Sequence, residues 1–209
     1  MSPGFASTPA VGFDLDMTLI DSRPGIRAAY RALTEKTGVF VDADLAVTRL
    51  GPPLRTEMGH WFPPAEIEAA VTTYRALYPD YAVTPTVPTP GALAAIEAVR
   101  AMGLRVVVVT SKLGRLAHLH LDHLGMVVDE VAGDLFAEGK AGALVEHGVR
   151  WYVGDHVGDM VAARTAGVPG IGVTTGPCSA DRLRDAGAAY VLPDLTGLPA
   201  LLREIAVGP

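Results

Sequence analysis

The sequence predicts an α/β fold, a doubly wound parallel sheet with a small all-helical unit inserted after the first strand. Residues 104–109 form a nearly unbroken β-branched run, which is typical of a strand buried on both faces of a parallel sheet. The second half of the chain alternates short apolar runs with helical patterns, which indicates βαβ units. Residues 22–85 break this alternation, because they contain helical patterns and prolines but no strand pattern.

The first strand is predicted at residues 10–13, an apolar run that ends at Asp14. A helix is expected next, from Pro24 to Lys36, because Ser22 suits an N-cap and Gly38 suits a helix end. We expect this helix to open the inserted unit.

The inserted unit continues with further helical segments and then a proline-rich return to the sheet. Open α/β sheets bind ligands at the carboxyl ends of their strands, and we expect the inserted helices to lie over that edge. The predicted domains are therefore a core of residues 1–21 and 86–209 and a helical cap of residues 22–85. The predicted cap helices after the first lie near 43–50, 54–61 and 64–78.

The elements of the second half follow from apolar spacing and glycine punctuation. Apolar residues at 93, 96, 99 and 102 predict a helix that ends at Gly103, just before the strand at 104–109. Further strands are predicted near 127–132, 151–153, 170–173 and 190–192, and further helices near 114–124, 141–147, 159–166, 179–186 and 198–206.

Composition narrows the possible partners and location. The 209 residues carry 17 basic and 23 acidic side chains, a net charge of −6 with no long basic cluster, which argues against nucleic acid. The single cysteine, Cys178, permits no internal disulfide and no multi-cysteine metal site, and we expect it to be a loop residue without catalytic function. No segment approaches the roughly 20 apolar residues of a membrane helix. Residues 1–9 have no signal-peptide pattern, so we expect a loose lead-in and a cytoplasmic protein without membrane contact.

Two acids follow the first strand in the segment Asp14-Leu15-Asp16. Side chains at i and i+2 of an extended chain point to the same side, so the two carboxylates would repel each other without a cation or shared proton. A capping turn is the simpler explanation of such a pair, since aspartates often accept backbone hydrogen bonds in turns. The pair alone does not decide between chemistry and structure.

Other polar residues follow the predicted strands and favour chemistry. Because parallel strands end at one edge, these residues should meet in one crevice. Carboxylates without a histidine or cysteine cluster favour Mg²⁺ over Zn²⁺, while hydroxyls and lysine suit a phosphate group. The combination predicts phosphoryl transfer. The residues are Asp14, Asp16, Thr18, Thr110, Ser111, Lys112, Lys140, Asp155 and Asp159.

These residues resemble a known family in both order and type. The segments Asp14-Leu15-Asp16-Met17-Thr18, Val109-Thr110-Ser111, Lys140 and Val153-Gly154-Asp155 with Asp159 are similar to the four motifs of the haloacid dehalogenase-like hydrolase superfamily. The inserted helices resemble its helical cap, and the rest resembles its Rossmann-like core. The likeness covers about residues 10 to 195. It is greatest to the phosphoglycolate phosphatase-like branch, through Asp21-Ser22, Gly51-Pro52-Pro53-Leu54 and Pro90-Gly91.

The resemblance implies a role for each matching residue. Asp14 would be the nucleophile that forms an aspartyl-phosphate, and Asp16 would be the general acid and base. Mg²⁺ would bind the Asp14 carboxylate, the Asp16 backbone carbonyl and Asp155, and Asp159 would orient these ligands. The phosphoryl oxygens would be held by Thr110, Ser111 and Lys140.

The sequence departs from the family pattern in two places. Met17 stands where the family usually has glycine, so its side chain must fit a tight loop. The segment around Lys140 lacks the proline-rich sequence usual in this branch, which leaves Lys112 as a competing phosphate-binding lysine. We favour Lys140 and expect Lys112 to lie at the rim of the crevice.

Histidines and one arginine are weaker candidates. His118, His120 and His123 are close in sequence, but i, i+2 spacing puts the first two on different helix faces, so we expect solvated surface residues. His156 lies beside Asp155 and could support the site. Arg55 in the predicted cap could contact a substrate carboxylate and determine specificity.

The sequence therefore predicts a Mg²⁺-dependent phosphatase that hydrolyses a small phosphorylated metabolite, either phosphoglycolate-like or a sugar phosphate. One alternative is a phosphomutase similar to β-phosphoglucomutase, and another is a non-enzymatic receiver that is phosphorylated on Asp14. Dehalogenation is disfavoured, because the resemblance implies that dehalogenases lack the second acid, which is present here as Asp16. We expect a monomer or homodimer.

Overall fold

The computed structural model describes residues 8–136 and 138–206, and its centre is a six-stranded sheet in which every neighbouring pair of strands is parallel. The sheet order is β5-β4-β1-β6-β7-β8. Its strands are β1 (Ala10–Phe13), β4 (Arg105–Val109), β5 (Glu130–Ala132), β6 (Val149–Gly154), β7 (Gly170–Val173) and β8 (Ala188–Leu192). A separate antiparallel ribbon pairs β2 (Ile20–Asp21) with β3 (Val87–Pro88).

The helices fall into two groups along the chain. Those between β2 and β3 are α1 (Arg23–Thr37), α2 (Ala43–Ala46), α3 (Leu54–Met58) and α4 (Ile67–Ala82), with a 3-10 turn at Val47–Arg49. Those that follow β3 are α5 (Ala92–Ala101), α6 (Gly114–His123), α7 (Glu138–Glu146), α8 (Val157–Ala166), α9 (Ala180–Asp185) and α10 (Leu198–Ala206). No helix in the described part of the chain is long and apolar enough to span a membrane.

The predicted α/β class is confirmed, because helices cover both faces of the sheet. One apolar cluster joins β1 and β4 to α5, α6 and α10, and another joins the opposite face to α7 and α8. The core residues of β4 are buried from Val106 to Val109, as expected for a strand that is covered on both faces. Most of the predicted lead-in, residues 1–7, lies outside the described residues.

The residues Arg23–Ala82, which we call the helical unit, have an apolar cluster of their own. Its centre is the antiparallel pair α1 and α4, with Tyr30 and Leu33 packed among residues of α4. The helices approach closely at Gly25, where an added Cβ would lie 1.9 Å from the carbonyl oxygen of Ala82. The predicted domain boundaries at 21/22 and 85/86 stay a prediction.

Several helix ends within the helical unit differ from the positions predicted from the sequence. The predicted helix at 43–50 is a short helix followed by a 3-10 turn, and the helix expected at 54–61 ends at Met58. The helix expected at 64–78 begins at Ile67 and continues through Pro79 to Ala82. Proline removes one backbone N–H, and near a helix end little of the hydrogen-bond ladder remains to be interrupted. The ribbon of β2 and β3 had no recognisable signal, because each strand has two residues.

Candidate active site

The carboxyl ends of the parallel strands bring the predicted acids together. Asp14 follows β1, and Asp155 follows β6, its hydrogen-bonded neighbour in the sheet. Lys140 of α7 donates hydrogen bonds from Nζ to Asp14 Oδ1 at 2.8 Å and to Asp159 Oδ1 at 2.7 Å. All four side chains are buried. The site therefore contains three carboxylates and one ammonium group that water hardly reaches.

Asp159 is held from several directions at the start of α8. Its Oδ1 also accepts a hydrogen bond from the Tyr152 hydroxyl at 3.1 Å, and its Oδ2 accepts one from the His156 backbone N–H at 3.1 Å. The His156 ring in turn accepts a hydrogen bond through Nδ1 from the Gly158 N–H, which completes a capping box. Both oxygens of Asp159 thus have protein donors, and His156 supports the helix start that positions them.

The three carboxylates of the site outnumber its one ammonium group, that of Lys140. Carboxylate oxygens of Asp14, Asp155 and Asp159 lie within 4.8 Å of one another. Burial raises the pKa of Asp14 to about 6, against the opposing effect of Lys140 and with a further increase from Asp159. Burial and the neighbouring carboxylates Asp14 and Asp159 also raise the pKa of Asp155 well above its usual range. A bound cation would relieve this repulsion.

The oxygen atoms of the site that accept no hydrogen bond in the described structure suit a hard divalent ion as its ligands. Asp155 Oδ1 accepts a hydrogen bond from Thr18 at 3.0 Å, whereas Asp155 Oδ2 and Asp14 Oδ2 accept none from the described residues. The Asp16 carbonyl likewise accepts no backbone hydrogen bond within the described part of the chain. Gly176 keeps the approach to Asp155 open, since a Cβ there would lie 1.8 Å from Oδ2. Carboxylate and carbonyl oxygens are the ligands that Mg²⁺ prefers.

The second acid, Asp16, has a different partner. Lys112 places Nζ 3.0 Å from Asp16 Oδ1 and donates a hydrogen bond to the Tyr78 hydroxyl at 2.5 Å. The same hydroxyl lies 2.9 Å from Nε2 of His120, so a chain of contacts runs from Asp16 across to α4 and back to α6. Burial raises the pKa of Asp16, but the Lys112 ammonium together with Ser22 and His120 outweighs it, and the net shift is downward.

This chain of contacts corrects two expectations. Lys112 does not lie at the rim, because its side chain is only 7% exposed and contacts Asp16 directly. His120 is not a surface residue but is fully buried, and burial together with Lys112 lowers its pKa to about 3. The signal was present in the sequence, because position 120 continues the inward spacing of Leu116 and Ala117 on α6. His118 and His123 are exposed, as expected.

Thr110 and Ser111 follow β4 at the same edge. Thr110 is buried, and its hydroxyl accepts a hydrogen bond from the Lys112 N–H at 3.2 Å. The Ser111 hydroxyl donates to the Gly51 carbonyl of the helical unit at 3.3 Å. Ser111 thus links the end of β4 to the loop that follows the 3-10 turn.

Met17, which stands where the resemblance leads us to expect glycine, has a left-handed backbone conformation. Its φ is +63°, a left-handed conformation that costs a residue with a side chain more than it costs glycine. The side chain is nevertheless buried, so the tight loop accommodates it.

A cavity of about 310 Å³ lies between the helical unit and the sheet, and both Asp14 and Asp16 line it. Arg55 lies on its wall, 66% exposed and paired with Glu68. Sequence reasoning missed a less exposed arginine, Arg49, which donates two hydrogen bonds to Glu57 at 2.5 and 3.0 Å. Nothing local marks this pair, because its members are separated by a proline-containing loop.

Comparison with known proteins agrees with this geometry. The family model described as haloacid dehalogenase-like hydrolase matches residues 11–164, and a second hydrolase-like model matches residues 141–198. A probable phosphatase, IndB, of Dickeya dadantii is 30% identical and aligns over 91% of this chain and 97% of its own length. A phosphoglycolate phosphatase of Agrobacterium fabrum is 31% identical over 81% of this chain and 82% of its own.

A solved structure is also similar over nearly the whole chain. A predicted phosphatase from Clostridium acetobutylicum superimposes with a TM-score of 0.81 at 27% identity, covering 94% of this chain and 99% of that one. The chain belongs to the haloacid dehalogenase-like hydrolase family. Within it, the chain is an enzyme of the phosphatase type and lies in the phosphoglycolate phosphatase-like branch.

Proposed function

We propose that this protein hydrolyses phosphate monoesters of small metabolites with Mg²⁺, through a phosphoryl group carried transiently on Asp14. The observation that carries the proposal is the position of Asp14, buried against Lys140 and beside Asp155 at the ends of two paired strands. A carboxylate in this setting combines a nucleophilic oxygen with a cation that can neutralise the incoming phosphate.

The fixed ammonium group serves the phosphoryl oxygens. Lys140 is oriented by two carboxylates, so its charge does not need to reorganise when a phosphate enters. The Thr110 hydroxyl lies at the same edge and would supply a further donor, and the Ser111 hydroxyl would do so on releasing the Gly51 carbonyl. Of the two candidate lysines, Lys140 suits phosphate binding better, because it contacts the proposed nucleophile Asp14, whereas Lys112 contacts Asp16.

Mg²⁺ would be held by the Asp14 carboxylate, the Asp16 carbonyl and Asp155, each of which keeps an oxygen that accepts no hydrogen bond from the described residues. Bound there, it would offset the mutual repulsion of the acids and polarise the phosphate. Asp159 is the fourth acid of the site, and its two engaged oxygens make it a positioning group for Lys140.

Asp16 suits proton transfer between the nucleophile and the leaving group. It lines the cavity together with Asp14, so a leaving alcohol that occupies the cavity would lie within its reach. In the proposed reaction Asp16 gives a proton to the departing alkoxide and takes one from the water that attacks the aspartyl-phosphate. We propose the helical unit as a cap that excludes other water during the first step.

The test is phosphate release from p-nitrophenyl phosphate and a panel of phosphorylated metabolites, with Mg²⁺ or EDTA. Asp14→Asn should lower turnover by about a thousandfold or more while far-UV circular dichroism stays unchanged. Asp122→Asn, at an exposed position of α6, is the matched control and should behave as wild type. Wild-type turnover in Asp14→Asn would refute the assignment.

The same assay separates the alternatives. Isomerised sugar phosphate in place of free phosphate would identify a phosphomutase. A phosphorylated Asp14 that persists without turnover would identify a receiver-like protein. Undiminished phosphate release in EDTA, after removal of bound metal, would contradict the proposed dependence on Mg²⁺.

A further inference from the structure

We infer that the preferred substrate is the phosphate ester of an uncharged, largely apolar ring-bearing alcohol, and that this alcohol occupies the cavity under the helical unit. The inference rests on the proposed phosphatase activity and names the leaving group that the cavity accepts. It excludes a short carboxylate such as glycolate and a polyol such as a sugar as the preferred leaving group.

The charges that line the cavity are already paired. Its four cations are Arg49, Arg55, Arg75 and Lys112, and each forms an ion pair with an acid that also lines the cavity. The acids in the same order are Glu57, Glu68, Asp134 and Asp16. A substrate carboxylate would therefore compete for each of these cations with an acid that is already in place.

The least exposed of the arginine pairs is the hardest to displace. Arg49 holds Glu57 through two hydrogen bonds, and the Trp61 indole N–H donates a third to the same carboxylate at 2.9 Å. The Arg49 guanidinium also lies 5.5 Å from the centre of the Trp61 ring. A bidentate pair of this kind is geometrically specific and leaves few donors of Arg49 for a ligand.

The remaining wall is apolar and aromatic. It is made by side chains from the helical unit and from the segment before and within α6, namely Ile26, Tyr30, Val71, Tyr74, Leu113 and Leu116. The rings of Tyr30 and Tyr74 lie 4.7 Å apart between centroids, which gives a broad aromatic surface. Such a surface favours a ring that can stack on it.

The apolar part of the wall offers a polyol few hydrogen-bonding groups. The hydroxyl of Tyr78 is engaged with Lys112, whereas those of Tyr30 and Tyr74 make no hydrogen bond to any described residue. Burial raises the pKa of both phenols, so each stays neutral and can donate to one oxygen of the ligand. A sugar would place several hydroxyls against the apolar part of the wall, where these two phenols are the polar partners, which disfavours it.

The cavity is also larger than a short hydroxy acid such as glycolate. At about 310 Å³ the cavity is at the lower end of the range for sites that enclose whole small-molecule ligands, roughly 300 to 1,000 Å³. Glycolate would leave most of this space to water in contact with apolar side chains. A ring-bearing alcohol would displace that water and gain the associated burial free energy.

The test compares leaving groups of similar acidity, so that differences report on the cavity. The substrates are ethyl phosphate, phenethyl phosphate, phosphoglycolate and a hexose phosphate esterified at its primary hydroxyl. We expect kcat/KM for phenethyl phosphate to exceed that for ethyl phosphate by about tenfold to hundredfold, from burial of the ring. Phosphoglycolate and the hexose phosphate should not exceed ethyl phosphate. A preference for either of them, or equal values for the phenethyl and ethyl esters, would overturn the inference.

Binding of the corresponding non-hydrolysable phosphonates separates this inference from the proposed function. Calorimetry should give a Kd for the phenethyl phosphonate at least about tenfold below that for the ethyl phosphonate. This preference without hydrolysis of any ester would defeat the proposed function and leave the cavity inference standing. Hydrolysis of the esters, with equal Kd values for the two phosphonates and equal kcat/KM values for the two esters, would support the proposed function and defeat the cavity inference.

A cavity-filling variant locates the effect. Val71→Phe should lower the ratio of phenethyl to ethyl kcat/KM by about fivefold or more, because the new ring takes space on the wall. Val145→Phe, the same change at an exposed position of α7, should keep the wild-type ratio. An unchanged ratio in a folded Val71→Phe enzyme would place the ring outside this cavity and contradict the inference.

Discussion

Replacement of Lys140 by methionine tests the electrostatics of the site most directly. The chain has three lysines, and Lys140 is the one whose ammonium group lies between two buried carboxylates, Asp14 and Asp159. Methionine keeps most of the length and apolar volume of the side chain but removes the charge. The two carboxylates would then be left in a buried site without their cation.

The expected loss follows from that geometry. Breaking a buried ion pair by removal of one partner costs about 3–5 kcal/mol of unfolding free energy, because the remaining charge stays desolvated. For a chain of this size about 1 kcal/mol corresponds to roughly 2–4 °C, so the melting temperature should fall by about 6–20 °C. The loss should shrink as pH falls from about 8 towards 5.5, since Asp14 already titrates at about 6 beside Lys140 and gains a proton more readily without it.

Thermal and urea unfolding followed by far-UV circular dichroism in EDTA measures this loss. Lys36→Met is the matched control, because Lys36 is exposed on α1, and it should change the unfolding free energy by less than about 0.5 kcal/mol. If Lys140→Met unfolds at neutral pH with the same free energy as Lys36→Met, the ion-pair reasoning is wrong. A loss of unfolding free energy that stays constant from about pH 8 to about 5.5 would contradict its assignment to the carboxylates of Asp14 and Asp159.

Three further predictions concern metal binding, pH and packing. Saturating Mg²⁺ should stabilise the wild type by about 2.7 kcal/mol at a hundred times its Kd, and this gain in melting temperature should disappear in Asp155→Asn. The pKa of buried His120 is lowered to about 3, so the unfolded chain binds a proton below about pH 6.5 that the folded chain does not. Urea titrations should therefore show the wild type losing about 2 kcal/mol more than His120→Gln between pH 7 and about 5, whereas the exposed control His118→Gln should follow the wild type. Gly25→Ala should cost about 1–3 kcal/mol because its Cβ would meet an α4 carbonyl, whereas Gly142→Ala, in open space on α7, should be neutral or stabilising by up to about 1 kcal/mol in the same titrations.

The sheet could be predicted from the sequence because its pattern is local. Each residue of β4 from Val106 to Val109 is buried, so the strand reads as a continuous apolar run with no competing helical spacing. The strand ends then place Asp14, Thr110 and Asp155 at one edge without further information. The order of these residues along the chain was enough to indicate the family.

The contacts of the helical unit could not be predicted in the same way. Tyr78 contacts Lys112 and His120, which are far away in sequence, through a hydroxyl that no periodicity marks. The ion pair of Arg49 and Glu57 likewise depends on how a loop folds back. These interactions are tertiary, and they determine the shape and charge of the cavity while leaving no trace in local spacing.

The pKa values of Asp14 and Asp16 are shifted in opposite directions, although both acids are largely buried and each contacts a lysine. Lys140 shares its charge between two carboxylates and leaves the pKa of Asp14 raised, whereas Lys112 lowers that of Asp16. An ionised Asp16 suits the proposed step in which water attacks, since that step needs a base, but the first step needs Asp16 to hold a proton. The first step therefore requires Lys112 to lie farther from Asp16 than it does here, whereas the second step suits the contact that the structure shows. The side-chain hydrogen bond that Lys112 donates in the described structure is to Tyr78, which ties the position of Lys112 beside Asp16 to α4.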